Sequence, residues 1–396
     1  MRRHLLPFVL AMIACTSSKP VTKSAIDEKM GFNDDVAFIG KHAKVIVLEH
    51  ESGGRVAISP TLQGRVMTSA VTAGGPGLGF VHRAFFDAGK VSTAFDNYGG
   101  EDRFWLGPEG TKFSLYFAPG HALDFDHWQT PHSFNEGAWD VTEQTKQRVA
   151  MRRALQLVNH SGVKFDVAVE RTIDLVDGAR AKSALGLQIP ASVQWVAFSS
   201  TNAITNSGKE AWTRDHGLVN VWILGMYAPS RDATALIPFD PKGEGPIVRD
   251  DYFGKVPSDR LSVKDAYLAF RCDGEQRGKI GISPTRAKSA LGSYSAEAKL
   301  LTIVQYDGPR PGVYPSGVWK EDADPWAGDV VNAYNDGPVA PGKPSLGGFY
   351  ELETLSPGAE LAPAATLVHT HRTFHFVGPR DALDSIARAV LGVALP

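Results

Sequence analysis

Apolar positions along this chain recur mainly with a period of two. Residues 44–48, 55–59, 113–117, 164–169, 219–224, 300–305 and 349–354 are short runs rich in β-branched and aromatic side chains. Each is bounded by Gly, Pro, Asn or Asp, the pattern of strands that turn one face to a core. A helical period stands out once, over 381–391, where Leu383, Ile386, Ala387, Val390 and Leu391 form one stripe after Gly378-Pro379. A second short helix is expected over 26–30. No internal repeat and no Pro/Gly linker divides the chain. The expectation is an all-β protein, one large antiparallel β-sandwich domain over 35–396 with a short C-terminal helix.

The N-terminus reads differently. Arg2 and Arg3 precede an apolar run from Leu5 to Ala14, followed by Cys15. A basic start, a short apolar segment and a small residue before the cut describe an export signal. The run is too short to cross a hydrocarbon core of ~30 Å. Met12-Ile13-Ala14-Cys15 also resembles the lipobox of bacterial lipoproteins, which implies cleavage after residue 14 and a lipid on the Cys15 thiol. Residues 15–34 then form a polar tether. The expected location is outside the cytoplasm, anchored to a membrane only through that lipid, at the outer membrane or cell surface.

Composition narrows the chemistry. The chain has 396 residues, with 41 Lys and Arg against 43 Asp and Glu and a formal net charge of −2. Without a basic block it lacks the electrostatic footprint of a nucleic-acid binder. Its two cysteines, Cys15 and Cys272, exclude a Cys-based zinc site and a disulfide framework. The cluster Gly74-Gly75-Pro76-Gly77-Leu78-Gly79 lacks dinucleotide spacing. No P-loop, G-x-S-x-G elbow or H-E-x-x-H helix occurs. No cofactor and no metal is therefore expected.

Two polar clusters remain. The first runs from Asn97 through Gly99-Gly100 to Gly110 and holds Glu101, Arg103, Trp105 and Glu109. Carboxylates and Arg suit sugar hydroxyls, and an indole face suits the C–H side of a pyranose. The second contains Asn335 and Asp336, then Glu351 and Glu353. On a strand the two glutamates share one face, where burial beside a like charge raises the proton affinity of one of them. That suits general acid–base chemistry. His369, His371 and His375 also share a strand face. Cross-strand hydrogen bonding is the expectation for them, with metal ligation the alternative.

The segment Leu352-Glu353-Thr354-Leu355-Ser356-Pro357, followed by a strand to Phe376, resembles the C-terminal part of galactose mutarotases (aldose 1-epimerases). The resemblance implies a mutarotase-like β-supersandwich and places the catalytic base on Glu353. It matches the family's acid histidine to His216, within a segment similar to 204–220, although the Tyr-Phe expected after that histidine is absent. Tyr98 stands where the family places His before Gly-Gly, with Arg103 as the substitute positive group. Gly99 to Trp105, Trp222 to Met226, Lys279 to Ser283 and Tyr334 to Pro338 also resemble a family of bacterial lipoproteins and secreted proteins of this fold.

Three readings follow. Glu353, His216 and Arg103 would interconvert sugar anomers, with Glu101, Trp105, Glu109, Asn335, Asp336 and Glu351 binding the sugar. Alternatively, two of the carboxylates Glu101, Glu109, Asp336, Glu351 and Glu353 would cleave a glycosidic bond or carry out lyase chemistry. In the third reading the domain binds sugars without turnover, on platforms drawn from Trp105, Trp212, Trp222, Trp319 and Trp326.

Overall fold

Six of the seven period-two runs read from the sequence resolve into antiparallel ladders. The computed structural model describes residues 30–50, 52–89, 94–135 and 137–396. Helix α1 (Phe32–Ile39) leads to β1 (Ile46–Glu49), β2 (Arg55–Ser59), β3 (Arg65–Ala70), α2 (Arg83–Ala88) and β4 (Arg103–Gly107). After α3 (His132–Asn135) come β5 (Asp140–Gln144), β6 (Arg148–Val158), β7 (Lys164–Leu175), α4 (Gly178–Leu185) and β8 (Gln194–Asn206). Then follow β9 (Asn220–Tyr227), β10 (Thr234–Pro238), β11 (Leu261–Val263), β12 (Tyr267–Arg271) and β13 (Gly278–Ile282). The chain ends with β14 (Ala290–Ser295), β15 (Leu300–Tyr306), β16 (Val331–Asn335), β17 (Tyr350–Leu355), β18 (Thr366–Val377) and α5 (Arg380–Leu391).

Three sheets result. One is β1-β2-β3, one has ten strands in the order β11-β12-β10-β14-β15-β18-β8-β7-β6-β5, and one has five in the order β13-β16-β17-β9-β4. In β7 every second residue from Phe165 to Leu175 is buried, so the long sheet is amphipathic along that strand. The five-stranded sheet differs, because β4, β9, β13 and β16 are buried at every position. Ile280, Ala333 and Leu352 on one of its faces pack with Leu291 and Val304 of the ten-stranded sheet. Its other face is covered by loops, and there the candidate site forms. Burying each such aliphatic side chain is worth about 1.5–3 kcal/mol.

Helix α5 lays Leu383, Ile386, Ala387 and Leu391 on Leu301, Ile303, Phe374 and Phe376, the other face of the ten-stranded sheet. This is the stripe read from the sequence. Arg171 on β7 joins all three sheets. Its guanidinium pairs with Asp102 beside β4, bonds Asn202 on β8, and donates from Nε to the Gly64 carbonyl ahead of β3 at 3.0 Å.

Some expectations change. Residues 113–117 form no strand: the Ser114 hydroxyl donates to the Glu109 carbonyl at 2.6 Å and accepts from the Tyr116 amide at 2.9 Å. These local bonds replace a ladder while Phe113, Leu115, Tyr116 and Phe117 fill the core. The folded part begins before residue 35, because α1 starts at Phe32, which is buried against Ala57 and Ala70. The short helix expected over 26–30 and the lipid attachment expected at Cys15 fall outside the described residues, except for Met30, which is exposed and not helical. Helix α4 escapes the periodicity because only Ala181 and Leu185 of its eight residues are buried.

Candidate functional site

Register assembles the site across five strands. Lys279, Tyr334 and Glu351 lie in one row of the five-stranded sheet. Glu353, Leu224 and Arg103 form the next row, and Trp222 pairs with Trp105 beyond it. Residues two apart on a strand share a face, so all of these project away from the ten-stranded sheet, opposite Ile280 and Leu352. Loops complete a cleft, partly open to solvent, adding Glu109, Phe125, Trp128, Phe253, Arg277 and Trp319. An aromatic lining with a few convergent polar groups is the usual make-up of a small-molecule site.

The backbone around β4 is held by close approaches. Gly99 has φ +86°, and a Cβ there would lie 2.0 Å from the Phe80 carbonyl oxygen. A Cβ on Gly110 would lie 2.1 Å from the Val318 carbonyl oxygen, which accepts from the Thr111 amide at 3.0 Å. These contacts fix Arg103 and Glu109 and bring the loop bearing Trp319 against them.

Charges here are buried and paired. The Arg103 guanidinium, 1% exposed, donates to Glu351 and lies 4.9 Å from the Trp105 ring centroid. Burial pushes the Glu351 carboxyl up to about 8, against the opposing pull of Arg103. Lys279 Nζ is 3.2 Å from Glu353 Oε2 and 3.7 Å from Glu109 Oε2, and 4.5 Å from the Trp222 ring. Burial alone would lower the Lys279 pKa, but Glu353 and Glu109 outweigh it and hold the ammonium above its ordinary value. Burial raises the Glu109 carboxyl, with Lys279 opposing. Trp222 Nε1 donates to Glu353 Oε2 at 2.8 Å. Among the described residues, Arg103 Nε and Nη1, Glu353 Oε1, Trp105 Nε1 and Trp128 Nε1 are buried without a hydrogen-bond partner. Buried polar atoms without a partner are uncommon in folded proteins, and those of Arg103, Trp105 and Trp128 belong to residues that line the cleft.

Residues 30–396 match the sequence profile described as Family of unknown function (DUF6786). The chain belongs to that family. No curated protein matches the sequence. Among solved structures, a candidate aldose 1-epimerase from Escherichia coli K12 is 12% identical with a TM-score of 0.51, over 85% of this chain and 99% of that one. The Slr1438 protein from Synechocystis sp. PCC 6803 is also 12% identical, with a TM-score of 0.50 over 85% of this chain and 96% of its own. A galactose mutarotase-like protein from Lactobacillus casei ATCC 334 is 11% identical with a TM-score of 0.48, over 84% of this chain and 100% of that one. Identities this low speak to fold alone, and the DUF6786 fold is galactose mutarotase-like, as the sequence resemblance implies.

Within this DUF6786 chain, Arg103, Trp105, Glu109 and Glu351 come together as cleft walls. Glu353 joins them from one layer behind. It is fully buried and does not itself line the cleft, whereas Lys279 and Trp222, the partners of its Oε2, both do. His216 is placed elsewhere, on an exposed single turn Arg214–His216, its carbonyl accepting from Asn159 at 2.9 Å. The motif match aligned its position but could not aim its ring, so the expected trio does not assemble.

Glu101 runs between the sheets instead, its Oε2 3.0 Å from His375 Nε2. Asn335 shares a face with Ala333, opposite Tyr334, and its side chain accepts from the Gly274 amide and donates to the Gln276 carbonyl, both at 2.9 Å. Asp336 accepts from the Tyr334 hydroxyl at 3.0 Å and the Gly348 amide at 2.8 Å. Asn335 and Asp336 therefore hold the turns that deliver Arg277 and Phe349 to the cleft rather than forming its wall. Trp212 packs on Phe165 and Trp326 on Phe113, away from it. Lys279, Arg277 and Trp128 were not singled out from sequence. The available signal for Lys279 is a lone charge in the apolar run Lys279–Ile282, which burial obliges to find a counter-charge.

The strand histidines bond across strands. The Thr354 hydroxyl is 2.8 Å from His369 Nε2 and 2.9 Å from His371 Nδ1, and His375 Nδ1 is 2.9 Å from the Thr302 hydroxyl. Burial keeps His369 and His371 neutral, the latter pushed down to about 4. Among the described residues no group of three or more His, Cys, Asp or Glu is arranged to hold a metal. Thr354→Val strands both imidazoles and is expected to cost about 1–3 kcal/mol of unfolding free energy, read by urea denaturation. A loss indistinguishable from zero would mean that the hydroxyl satisfies neither ring.

Proposed function

We propose that the cleft binds a carbohydrate and carries out acid–base chemistry on it, with Glu351 as proton donor and Glu109 as proton acceptor. What carries this reading is the Glu351 carboxyl, buried against Arg103 and pushed by that burial up to about 8, in a cleft walled by Trp105, Trp222 and Trp319. Aromatic faces take the C–H surface of a pyranose while a few convergent polar groups fix its orientation. The mutarotase-like fold, shared with the candidate aldose 1-epimerase of Escherichia coli, points the same way.

In an anomer interconversion, Glu109 removes the proton of the anomeric hydroxyl and Glu351 protonates the ring oxygen. The C1–O5 bond opens, the C1–C2 bond rotates, and reversal of both transfers closes the other anomer. Lys279 steadies the Glu109 carboxylate, and Glu353 steadies Lys279. The test is polarimetry on freshly dissolved single anomers of several sugars. Decay faster than the buffer blank is expected, and blank rates throughout would remove the epimerase reading.

A second reading, binding without turnover, is favoured by how closely the polar wall is held, Arg103 against Glu351 and Lys279 against Glu353 and Glu109, which leaves a rigid, preorganised surface. Binding that survives Glu351→Gln, with neither anomer exchange nor release of reducing ends from glycans, would select it.

We also propose that the chain is exported and tethered through Cys15. Labelled palmitate is expected in the wild type and not in Cys15→Ser, whose product would leave the membrane fraction. Label retained in Cys15→Ser would remove the anchor.

A further inference from the structure

Arg103 is answered by Glu351, and Lys279 by Glu353 and Glu109. The third cation of the wall is not answered. Among the described residues Arg277 has no carboxylate within ion-pair distance, although it lines the same cleft. It is half-buried, whereas Arg103 and Lys279 are buried, so it is the cleft cation nearest solvent.

Its guanidinium is nonetheless held in place. The group lies 3.7 Å from the Phe253 ring centroid and 5.4 Å from that of Phe125, whose ring is 40% exposed at the cleft mouth. The group also donates to the Tyr334 hydroxyl and feels the Glu109 carboxyl, while its Nε is buried with no hydrogen-bond partner; aromatic contacts fix the plane of a guanidinium without using the remaining N–H donors. The turn before β13 is pinned as well, by the two hydrogen bonds from Asn335 to Gly274 and Gln276. A guanidinium held at the cleft rim with no carboxylate in ion-pair contact and a buried, partnerless Nε is a receptor for one negative charge, and its fork matches a carboxylate.

We propose that Arg277 is the anion-recognising residue of this cleft and that the bound sugar carries a carboxylate, as a hexuronate does. This rests on the carbohydrate reading above and adds the substrate class to it.

The test is calorimetric titration of the whole protein and of Arg277→Gln with hexuronates, the matching neutral hexoses, hexose 6-phosphates and benzoate. Circular dichroism would verify that the variant is folded. Hexuronates are expected to bind about tenfold or more tightly than their neutral counterparts, as befits a charge-assisted pair. Arg277→Gln should abolish that preference. Equal binding of hexuronates and hexoses by the wild type, or a preference that persists in Arg277→Gln, overturns the role of Arg277 and leaves the carbohydrate reading standing. Tighter binding of hexose 6-phosphates than of hexuronates overturns the assignment to a monoanion. Benzoate binding as tightly as the hexuronates, and lost in Arg277→Gln, supports the anion receptor and overturns the carbohydrate reading. Absence of binding by every probe overturns both.

Discussion

Asp102→Ala is expected to lower the unfolding free energy by about 3–5 kcal/mol, the range for removing one member of a fully buried ion pair. Both side chains of the Arg171–Asp102 pair are 0% exposed. Arg171 also donates to the Asp102 carbonyl at 3.2 Å, so the substitution leaves a charge in the core with only neutral acceptors. The contrast is Arg148→Ala, which removes pairs with Glu143 and Asp174 from a side chain that is 41% exposed. Exposed pairs are worth about 0–1 kcal/mol, so that change should barely register. Urea denaturation of both variants decides between the two cases. Arg171→Met combined with Asp102→Ala should recover part of the loss, because the double variant buries no unpaired charge. Losses of similar size for Asp102→Ala and Arg148→Ala would mean that solvent reaches Arg171 and that the three sheets are not joined through it.

The joint shows where sequence reading succeeds and where it runs out. Strands β7, β9, β15 and β17 and helix α5 were legible, because a two-layer β fold imposes alternation on each strand separately. Residues 113–117 carry the same alternation and form no strand, since Ser114 turns the backbone back on itself and no neighbouring strand offers a ladder. Period two says that a segment has two faces; it does not say that a partner exists.

The site follows the same division. That Glu351 and Glu353 share a face is a local property of one strand and could be read directly. That Lys279 stands across from them depends on the β13-β16-β17 register, which is set by contacts distant in sequence. Asn335, Asp336 and Glu101 were misplaced for a related reason. A polar residue in a glycine-rich segment looks the same whether it faces a ligand or satisfies a buried turn, and these three are spent on Gly274, Gly348 and His375. His216 matched by motif, yet the turn carrying it lies on the exterior, away from the cleft.

Glu351→Gln bears on both mechanism and stability. If Glu351 supplies a positioned proton, its loss should slow catalysis about 10²–10⁴-fold, the usual worth of one such transfer. The amide keeps an acceptor for Arg103 and nearly the same volume, so folding should survive. The pH dependence gives a readout that needs no substrate. In the unfolded chain a glutamate loses its proton near its ordinary 4.5, whereas burial holds the Glu351 proton until about 8. Below the lower value both states are protonated and Glu351 adds no pH dependence. Between the two values the folded state binds the extra proton, so stability falls as pH rises, by up to about 1.4 kcal/mol per pH unit. Above about 8 both states are ionised and the loss levels off. Glu351→Gln removes this contribution, so the wild type should be increasingly disadvantaged against the variant as pH climbs through that window. Urea midpoints on both sides of the window measure it. A wild-type-minus-variant difference that stays flat with pH would mean that Glu351 is ionised in the folded protein and locked to Arg103. It would then hold no proton to donate, and the acid of the proposed reaction would have to be sought at Glu109.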